Sequence, residues 1–206
     1  MPRDPGARTR LLDAADRMLA SHGFRRMTVA LVAAVAGVGK GSVYLHFASK
    51  NELALACLDR MAERVQKHMR ELASSSRDAR SRLRAMLRAR VLDRFDYASR
   101  HAPSIDQKLA VMRQAMLKRR ERHFATEAEL LAGVLAEARF HHVPGRAADS
   151  LVIATNALLP YSLSTRELGQ RARLVTRLDA LLDLLLHALS PVLTAGRKPQ
   201  STRRTR

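Results

Sequence analysis

The sequence predicts an all-α fold built from two helical parts, and three observations support this prediction. Apolar residues recur with helical period in almost every segment, whereas a convincing two-residue alternation is missing. Residues that start and stop helices stand at the ends of these periodic segments. The 206 residues, 47% of them hydrophobic, are also enough to bury a core. We therefore expect an N-terminal three-helix domain followed by a larger C-terminal helical bundle.

The first two helices of the N-terminal domain are predicted from the residues that end them. An amphipathic helix over 7–21 is followed by Gly23, at a position where a left-handed residue is favoured. Thr28 is a good N-cap for a short second helix over 29–36, and Gly37 stops that helix. Two helices with a tight turn after them are therefore expected before residue 38.

The third and fourth helices follow directly. The third begins near Gly39 and runs through His46. Ser49 and Glu52 then form a capping-box pattern, in which each side chain bonds the other residue's backbone amide. This pattern starts a long fourth helix over 50–73, whose apolar positions fall on one face.

The triple serine at 74–76 is a polar break that separates the fourth helix from the rest of the chain. Pro160 should kink or end one of the helices beyond it. These later helices are predicted over 78–99, 104–118, 120–141, 147–163 and 168–190. The expected domains are 1–50, with the fourth helix as connector, then 51–193, and a disordered basic tail over 194–206.

Positive charge dominates the composition. The chain has 37 Lys and Arg against 19 Asp and Glu, a net charge of +18. Such an excess indicates a polyanionic partner, either nucleic acid or an anionic membrane surface. The basic tail fits either a solubilising role or loose binding to phosphates. No apolar run approaches the roughly 20 residues of a membrane span, and no secretory signal is visible, so we expect a cytoplasmic protein without a membrane partner.

The two short helices of residues 28–47, with the glycine turn between them, predict a helix-turn-helix. In this motif one helix crosses the sugar-phosphate backbone and the next enters the major groove. The inserted helix must carry polar or small residues outward and apolar residues inward. The outward set is Lys40, Ser42, Tyr44 and His46, and the inward pair is Val43 and Phe47.

An ordered set of features extends from the first helix to the fourth: Ala14-Ala15, Gly23-Phe24, Thr28-Val29, Ala36-Gly37-Val38, Lys40-Gly41-Ser42-Val43-Tyr44, His46-Phe47, Ser49-Lys50 and Glu52-Leu53. In order and spacing, residues 11–53 resemble the DNA-binding domain of the tetracycline-repressor (TetR) family of bacterial transcription factors. The resemblance covers about a fifth of the chain.

The resemblance implies an all-α homodimer that regulates transcription as a repressor, binds a palindromic double-stranded DNA operator, and is released by a small effector. On this basis Thr28 and Lys50 would hold phosphates, the latter at a helix N-terminus where free amides also favour anions. Tyr44 and His46 would lie against the DNA backbone. Base edges would face Gly39, Lys40 and Ser42.

Two departures from the family pattern bear on this domain. The second helix lacks the charged residues that family members usually show there, so it would make fewer DNA contacts or pack against something extra. Gly39 stands where many members have a capping serine, which would leave the start of the third helix less rigid. Arg25 and Arg26 would compensate as phosphate contacts, or would simply be solvated charges.

The C-terminal domain is expected to bind the effector and to form the dimer. Methionine-rich linings suit adaptable apolar ligands, so a hydrophobic small molecule is expected. The residues expected to line its cavity are Met86, Phe95, Ile105, Leu109, Met112, Met116, Phe124 and Leu131. Two leucine-rich helices per subunit would form a four-helix dimer interface, or would bury each other within one subunit. The expected interface residues are Leu158, Tyr161, Leu174, Leu178, Leu181, Leu182, Leu185 and Leu189.

Other functions compete with this prediction. The charge alone also fits a basic helical protein that binds DNA without sequence specificity. An enzyme is disfavoured, because the sequence offers no carboxylate pair, nucleophile–base set or metal-ligand spacing, and we expect neither a cofactor nor a metal. The basic cluster Lys118-Arg119-Arg120 with Arg122 fits either a solvated helix face or recognition of an anionic effector.

Overall fold

The computed structural model of the protein describes residues 6–101, 105–138, 140 and 143–189, with the backbone alone for 105–114 and Thr165. Helices dominate these ranges, which confirms the predicted all-α class. Their order is α1 Ala7–Ser21, α2 Gly23–Arg26, α3 Val29–Ala36, α4 Lys40–His46, α5 Lys50–Ala73, α6 Ala79–Arg100, α7 Ile105–Glu137, α8 Pro144–Asn156, a 3₁₀ turn Pro160–Ser162, α9 Thr165–Leu168 and α10 Arg171–Ala188.

Helices α1 to α4 form an N-terminal part, which we call the head, with a hydrophobic core of its own. Leu11 and Ala15 of α1 meet Val32 of α3 and Val43 of α4 in this core. The first turns of α5 complete it, and Cys57 is buried there. The head is therefore closed by a helix that continues beyond it.

The second core lies in the body, which comprises α6 to α10. It gathers the buried faces of α6, α7, α8 and α10, and Val65 and Met69 of α5 join it. Because the two halves of α5 pack into different cores, this single helix joins head and body mechanically. This is the long fourth helix over 50–73 for which the sequence analysis predicts a connecting role.

Local capping confirms the predicted helix ends of the head. The Thr28 hydroxyl accepts a hydrogen bond from the Leu31 amide at 3.2 Å, and Ser49 accepts one from the Glu52 amide at 3.1 Å. Gly37 takes the left-handed conformation, with φ of 66°, that ends α3. The carboxylate of Glu52 binds Arg119 instead of reaching back to residue 49, so only half of the expected capping box is made.

Two helix boundaries in the body differ from the prediction. The segments expected over 104–118 and 120–141 form one helix, α7, because no glycine or proline interrupts the basic residues between them, which are good helix formers. Pro144 is the first residue of α8, where its missing amide proton costs nothing, instead of a turn residue. Pro160 begins a 3₁₀ turn after α8 has ended, as its ring requires.

A buried ionic network ties α6 to α7 and α8. Arg90 is fully buried and donates to Glu127 at 2.8 Å, to Thr155 at 2.8 Å and to Asn156 at 2.7 Å. Arg94 donates to the other carboxylate oxygen of Glu127. Two guanidinium groups thus share one carboxylate, which leaves this part of the body with an excess positive charge.

In the part of the chain that the structure describes, no helix taken singly has the length and apolarity to cross a membrane. The bent pair α3 and α4 meets the two criteria only jointly.

Candidate nucleic-acid interface and cavity

The turn between α3 and α4 sets two short helices at a steep angle. Their axes differ in direction by 102°. The left-handed Gly37 allows the chain to turn, and the Val38 amide bonds back to the Ala33 carbonyl at 3.0 Å. Gly39 precedes α4 without a side-chain cap, as its sequence predicts. The geometry is that of a helix-turn-helix.

One face of α4 is anchored and the other is open to solvent. Val43 and Phe47 are buried in the head core, as predicted. Lys40 and Tyr44 are exposed, while Ser42 and His46 are half-buried at the edges of the face. A short helix held by two apolar side chains therefore presents its polar residues outward, as an element that enters a DNA groove must.

Lys50, at the start of α5, lies beside the head. Its ammonium donates to the Arg25 carbonyl at 3.3 Å and lies 4.3 Å from the centroid of the Phe24 ring. Burial lowers the pKa of this lysine. Arg25 and Arg26 are exposed next to it. Thr28 is exposed too. Its hydroxyl oxygen already accepts the capping bond from the Leu31 amide, so the hydroxyl would bind a phosphate by donating its proton.

The sequence analysis missed one residue of this surface. Leu45 follows Tyr44 on α4 and is 71% exposed, a high value for a leucine. Apolar side chains in the major groove contact the thymine methyl group, so an exposed leucine is useful there. Leu31 and Val35 of α3 are also exposed. Their exposure agrees with the sequence of α3, which has no charged residue.

A cavity of about 500 Å³ lies between α5, α6 and α7, and the 3₁₀ turn closes one side of it. Its volume is within the range of pockets that hold small organic ligands. Most of its wall is apolar. The lining includes Leu19 at the end of α1, which belongs to the head.

Only some of the predicted effector-site residues line this cavity. Met116 and Phe124 do. Met86, Phe95 and Leu131 are instead buried in the body core, because their helix faces meet other helices, and this part of the prediction is wrong. The side chains of Ile105, Leu109 and Met112 lie outside the described part of the molecule.

Charged residues connect the cavity wall to the N-terminal end of α5. Arg119 binds both Glu52, at 2.6 Å, and Asp59. His123 completes the group, with its Nε2 at 3.0 Å from an Asp59 carboxylate oxygen. Burial alone would raise the pKa of Asp59, but the hydrogen bond with His123 and the charge of Arg119 outweigh it and hold that pKa below its ordinary value.

A second set of contacts joins the body directly to α1. The hydroxyl of Tyr97, which lines the cavity, donates to Asp16 at 2.8 Å. Arg60 of α5 binds Asp16 and also Asp13, the latter at 2.6 Å. Burial, followed by the charge of Asp16, raises the pKa of Tyr97 and keeps its hydroxyl a donor. Through these bonds, groups on the cavity wall hold a helix of the head.

The predicted dimer residues divide into three groups. Five are buried within one subunit and cannot form a surface, because their side chains fill the gaps between that subunit's own helices: Leu158, Leu174, Leu178, Leu182 and Leu189. Tyr161 lines the cavity. Leu181 and Leu185 are half-buried and flank an outer apolar face, on which Ile153 and Leu184 are 69% and 73% exposed.

Comparisons with known proteins agree with this geometry. Residues 11–57 match the family described as bacterial regulatory proteins, tetR family. The chain is 37% identical over 82 residues to the HTH-type transcriptional repressor KstR2 of Rhodococcus jostii, covering 40% of each protein. It is also 37% identical over 89 residues to the HTH-type transcriptional activator FasR of Mycolicibacterium smegmatis, covering 43% of this chain and 40% of that one. These matches thus span about 40% of the length of either relative.

The fold resembles that of solved regulators over most of its length. A transcriptional regulator from Cytophaga hutchinsonii superposes with a TM-score of 0.70 at 18% identity, covering 89% of this chain and 98% of the other. This likeness extends over head and body and shows a common fold. The residues that match the tetR family of bacterial regulatory proteins are thus those of the head and the first turns of α5.

Proposed function

We propose that the protein is a homodimeric repressor that binds a palindromic DNA operator and releases it when a small effector enters the cavity. The observation that carries this proposal is α4, whose buried Val43 and Phe47 fix it to the head while Lys40, Tyr44 and Leu45 face solvent. Such a helix fits a major groove about 12 Å wide. The DNA contacts we propose are Thr28, Gly39, Lys40, Ser42, Tyr44, Leu45, His46 and Lys50.

A competition binding experiment tests the operator. The full-length protein is titrated against labelled DNA from upstream of its own gene, with either unlabelled copies of that DNA or random duplex as competitor. A specific regulator should prefer its operator by about 10³ or more. Equal competition by both duplexes would support the rival function, a basic helical protein that coats DNA without sequence specificity, for which the net charge of +18 argues.

The outer face of α8 and α10 supports the homodimer. Ile153 of α8 and Leu184 of α10 are exposed. The small residues Ala157, directly after the end of α8, and Ala180 of α10 are exposed too and let two helix pairs approach closely. Burying this face about a two-fold axis would give each operator half-site one α4 helix. Two such helices read successive major grooves when they lie about 34–36 Å apart.

The contacts of the cavity wall support release by an effector. An occupant would touch Asp59, Arg119 and Tyr97, whose partners include Glu52 at the start of α5 and Asp16 in α1. Moving any of these groups would shift the head relative to the body. Because the coupling between two sites is reciprocal, operator DNA should weaken effector binding by the same factor.

The sign of regulation is a separate part of the proposal. KstR2 is named a repressor and FasR an activator, so the names of these relatives point in both directions. We propose repression, because a dimer released by its effector simply uncovers the DNA it occupied. In vitro transcription from the operator-bearing promoter should fall when the protein is added, and a rise in transcript would contradict repression.

A further inference from the structure

The cavity wall combines an apolar lining with an unusual balance of charge. Its apolar part includes Leu55, Leu58, Met61 and Met116. Among its lining residues are three arginines, Arg94, Arg119 and Arg120, and one carboxylate, Asp59. An occupant would therefore meet an apolar surface and a local excess of positive charge.

Two of the three arginines are already paired with carboxylates. Arg119 shares Asp59 and Glu52, and Asp59 is further engaged by His123. Arg94 binds Glu127 and donates to the Arg90 carbonyl at 2.9 Å. In the described part of the chain, no carboxylate pairs with Arg120.

Arg120 is instead held by aromatic rings. Its guanidinium carbon lies 4.8 Å from the Tyr161 ring centroid and 5.5 Å from the Phe124 ring centroid. One donor of Arg120 is hydrogen-bonded to the Tyr161 side chain. A guanidinium over a ring uses its face, which leaves its remaining edge donors available for a planar anion. Tyr161 does not act as a counter-ion, because burial raises its pKa against the opposing influence of Arg120, Arg90 and Arg94.

The network behind Phe124 adds to the positive field. The guanidinium carbon of Arg90 lies 4.6 Å from the centroid of the Phe124 ring. Arg90 and Arg94 share the single carboxylate of Glu127. These groups are buried, so water screens them poorly. An anion at Arg120 would thus sit close to a second, uncompensated positive charge.

We propose that the effector is an amphipathic organic acid, whose carboxylate is bound by Arg120 between Phe124 and Tyr161 and whose apolar body lies along Leu55, Leu58, Met61 and Met116. This rests on the proposed effector-regulated function and narrows the ligand from a hydrophobic molecule to an acid. Arg120 sets the class of ligand. An alcohol of equal length would offer it only one uncharged acceptor oxygen, and a protonated amine would be repelled by its charge.

Isothermal titration of the full-length protein without DNA tests this proposal with matched probes: decanoate, decanol, decylamine and decyl phosphate. We expect decanoate to bind at least tenfold more tightly than decanol, because a hydrogen bond to a charged partner contributes a free energy of that size. Decylamine should bind more weakly than both, because its charge is repelled by Arg120. Decyl phosphate reports whether any anion serves or a carboxylate is required. Binding of decanol or decylamine as tight as that of decanoate, or no binding of decanoate, would overturn the proposal.

Substitutions assign the effect to Arg120. Arg120→Gln should weaken decanoate binding at least tenfold and change decanol binding less than twofold, and the retained decanol binding shows that the variant is folded. Arg120→Lys should keep part of the affinity. Arg122→Gln, which removes the same charge from an exposed position on the same helix, is the control. An equal loss in Arg122→Gln would mean that net charge, not Arg120, attracts the acid.

The DNA-binding experiment is independent of this one. Decanoate that binds through Arg120 without releasing operator DNA would contradict regulation by the effector and leave the acid site standing. If the protein binds operator DNA but does not bind decanoate, and decanoate leaves DNA binding unchanged, only the proposal of an acid effector is contradicted.

Discussion

Lys40 and Lys50 carry the same charge in different surroundings. Lys40 begins α4 and is exposed, with its side chain reaching outward from the helix that we place in the groove. Lys50 is held against the head by the Arg25 carbonyl and the Phe24 ring. A lysine held in one place suits a phosphate of fixed position, whereas a free one at the tip of a recognition helix can reach base edges.

We expect Lys50→Ala to weaken binding to all duplexes by a similar factor and to lower the salt slope of binding by about one unit, because one phosphate contact is lost. Lys40→Ala should instead change which operator variants are preferred. Fluorescence anisotropy against single-base operator variants at several salt concentrations measures both. If Lys40→Ala lowers the affinity for all operator variants equally, Lys40 contacts the DNA backbone and not the bases. If Lys50→Ala leaves the salt slope unchanged, Lys50 at the start of α5 does not contact a phosphate.

Asp59 links stability to pH through its ion pair with Arg119 and its hydrogen bond with His123. Its pKa is held below the ordinary value, so the stabilisation is fully present above about pH 4 and is lost as the pH falls through the lower native pKa. The side chain is partly exposed, which limits its worth to about 1 kcal/mol.

Urea unfolding should therefore show Asp59→Asn less stable than the native protein by about 1 kcal/mol at neutral pH, with a gap that closes as the pH falls below about 4. Asp149→Asn, at an exposed position of α8, is the control and should unfold like the native protein. A gap of constant size at all these pH values would show that the carboxylate charge is not what stabilises.

At the level of the helices, Gly37 allows the turn of the helix-turn-helix to form. It has φ of 66°, and a Cβ built on it would meet nothing within 4 Å. A side chain there is thus strained by the backbone conformation and not by crowding. Gly133 in α7 likewise has open space around it, but its conformation is helical.

The two glycines should respond in opposite ways to alanine. Gly37→Ala should lower the free energy of unfolding by about 1 kcal/mol, the cost of forcing a side chain into the left-handed region. Gly133→Ala should raise it by up to about 1 kcal/mol, since alanine favours the helix interior. Chemical denaturation of both variants measures this, and a neutral Gly37→Ala would show that the turn relaxes to another conformation.

Another helix-level lesson comes from α7. The sequence predicts two helices over 104–118 and 120–141, yet α7 continues through the basic run Lys118-Arg119-Arg120. Arg119 and Arg120 face the cavity side of the helix, where Asp59, Glu52 and the Tyr161 ring meet them. Their charge therefore serves the interior of the molecule, which a polar sequence pattern does not reveal.

For the whole molecule, we propose that the outer face of α8 and α10 forms the dimer and so lets two α4 helices act together. Leu184→Glu should convert the dimer into a species of 23.0 kDa, because a charge at the centre of an apolar interface is left without a partner. It should also abolish tight binding to a palindrome. Light scattering after size exclusion measures the mass.

Val35→Glu is the matched control for this experiment. It places the same charge on an exposed apolar residue of the head, away from α8 and α10, and should leave the mass of the dimer unchanged. If Leu184→Glu keeps twice the subunit mass, the subunits meet through another surface.

The helix ends and the helix-turn-helix of the head could be predicted from local sequence. Thr28, Gly37 and Ser49 fix helix ends through their own hydroxyl groups and backbone conformations, which neighbouring residues alone decide. The same holds for the alternation of outward Lys40 and Tyr44 with inward Val43 and Phe47. The all-α class and the helix-turn-helix could be predicted for this reason.

What the apolar faces of the body meet follows from tertiary contacts and not from local sequence. Leu178 and Leu182 pack inside one subunit, Leu184 is left open, and Met116 borders a cavity, although all of them recur with the same helical period. A period of 3.6 residues indicates that a helix has an apolar face. It does not indicate whether another helix, a second subunit or a ligand covers that face. That choice, like the position of Arg120 between two rings, depends on contacts between residues far apart in the chain.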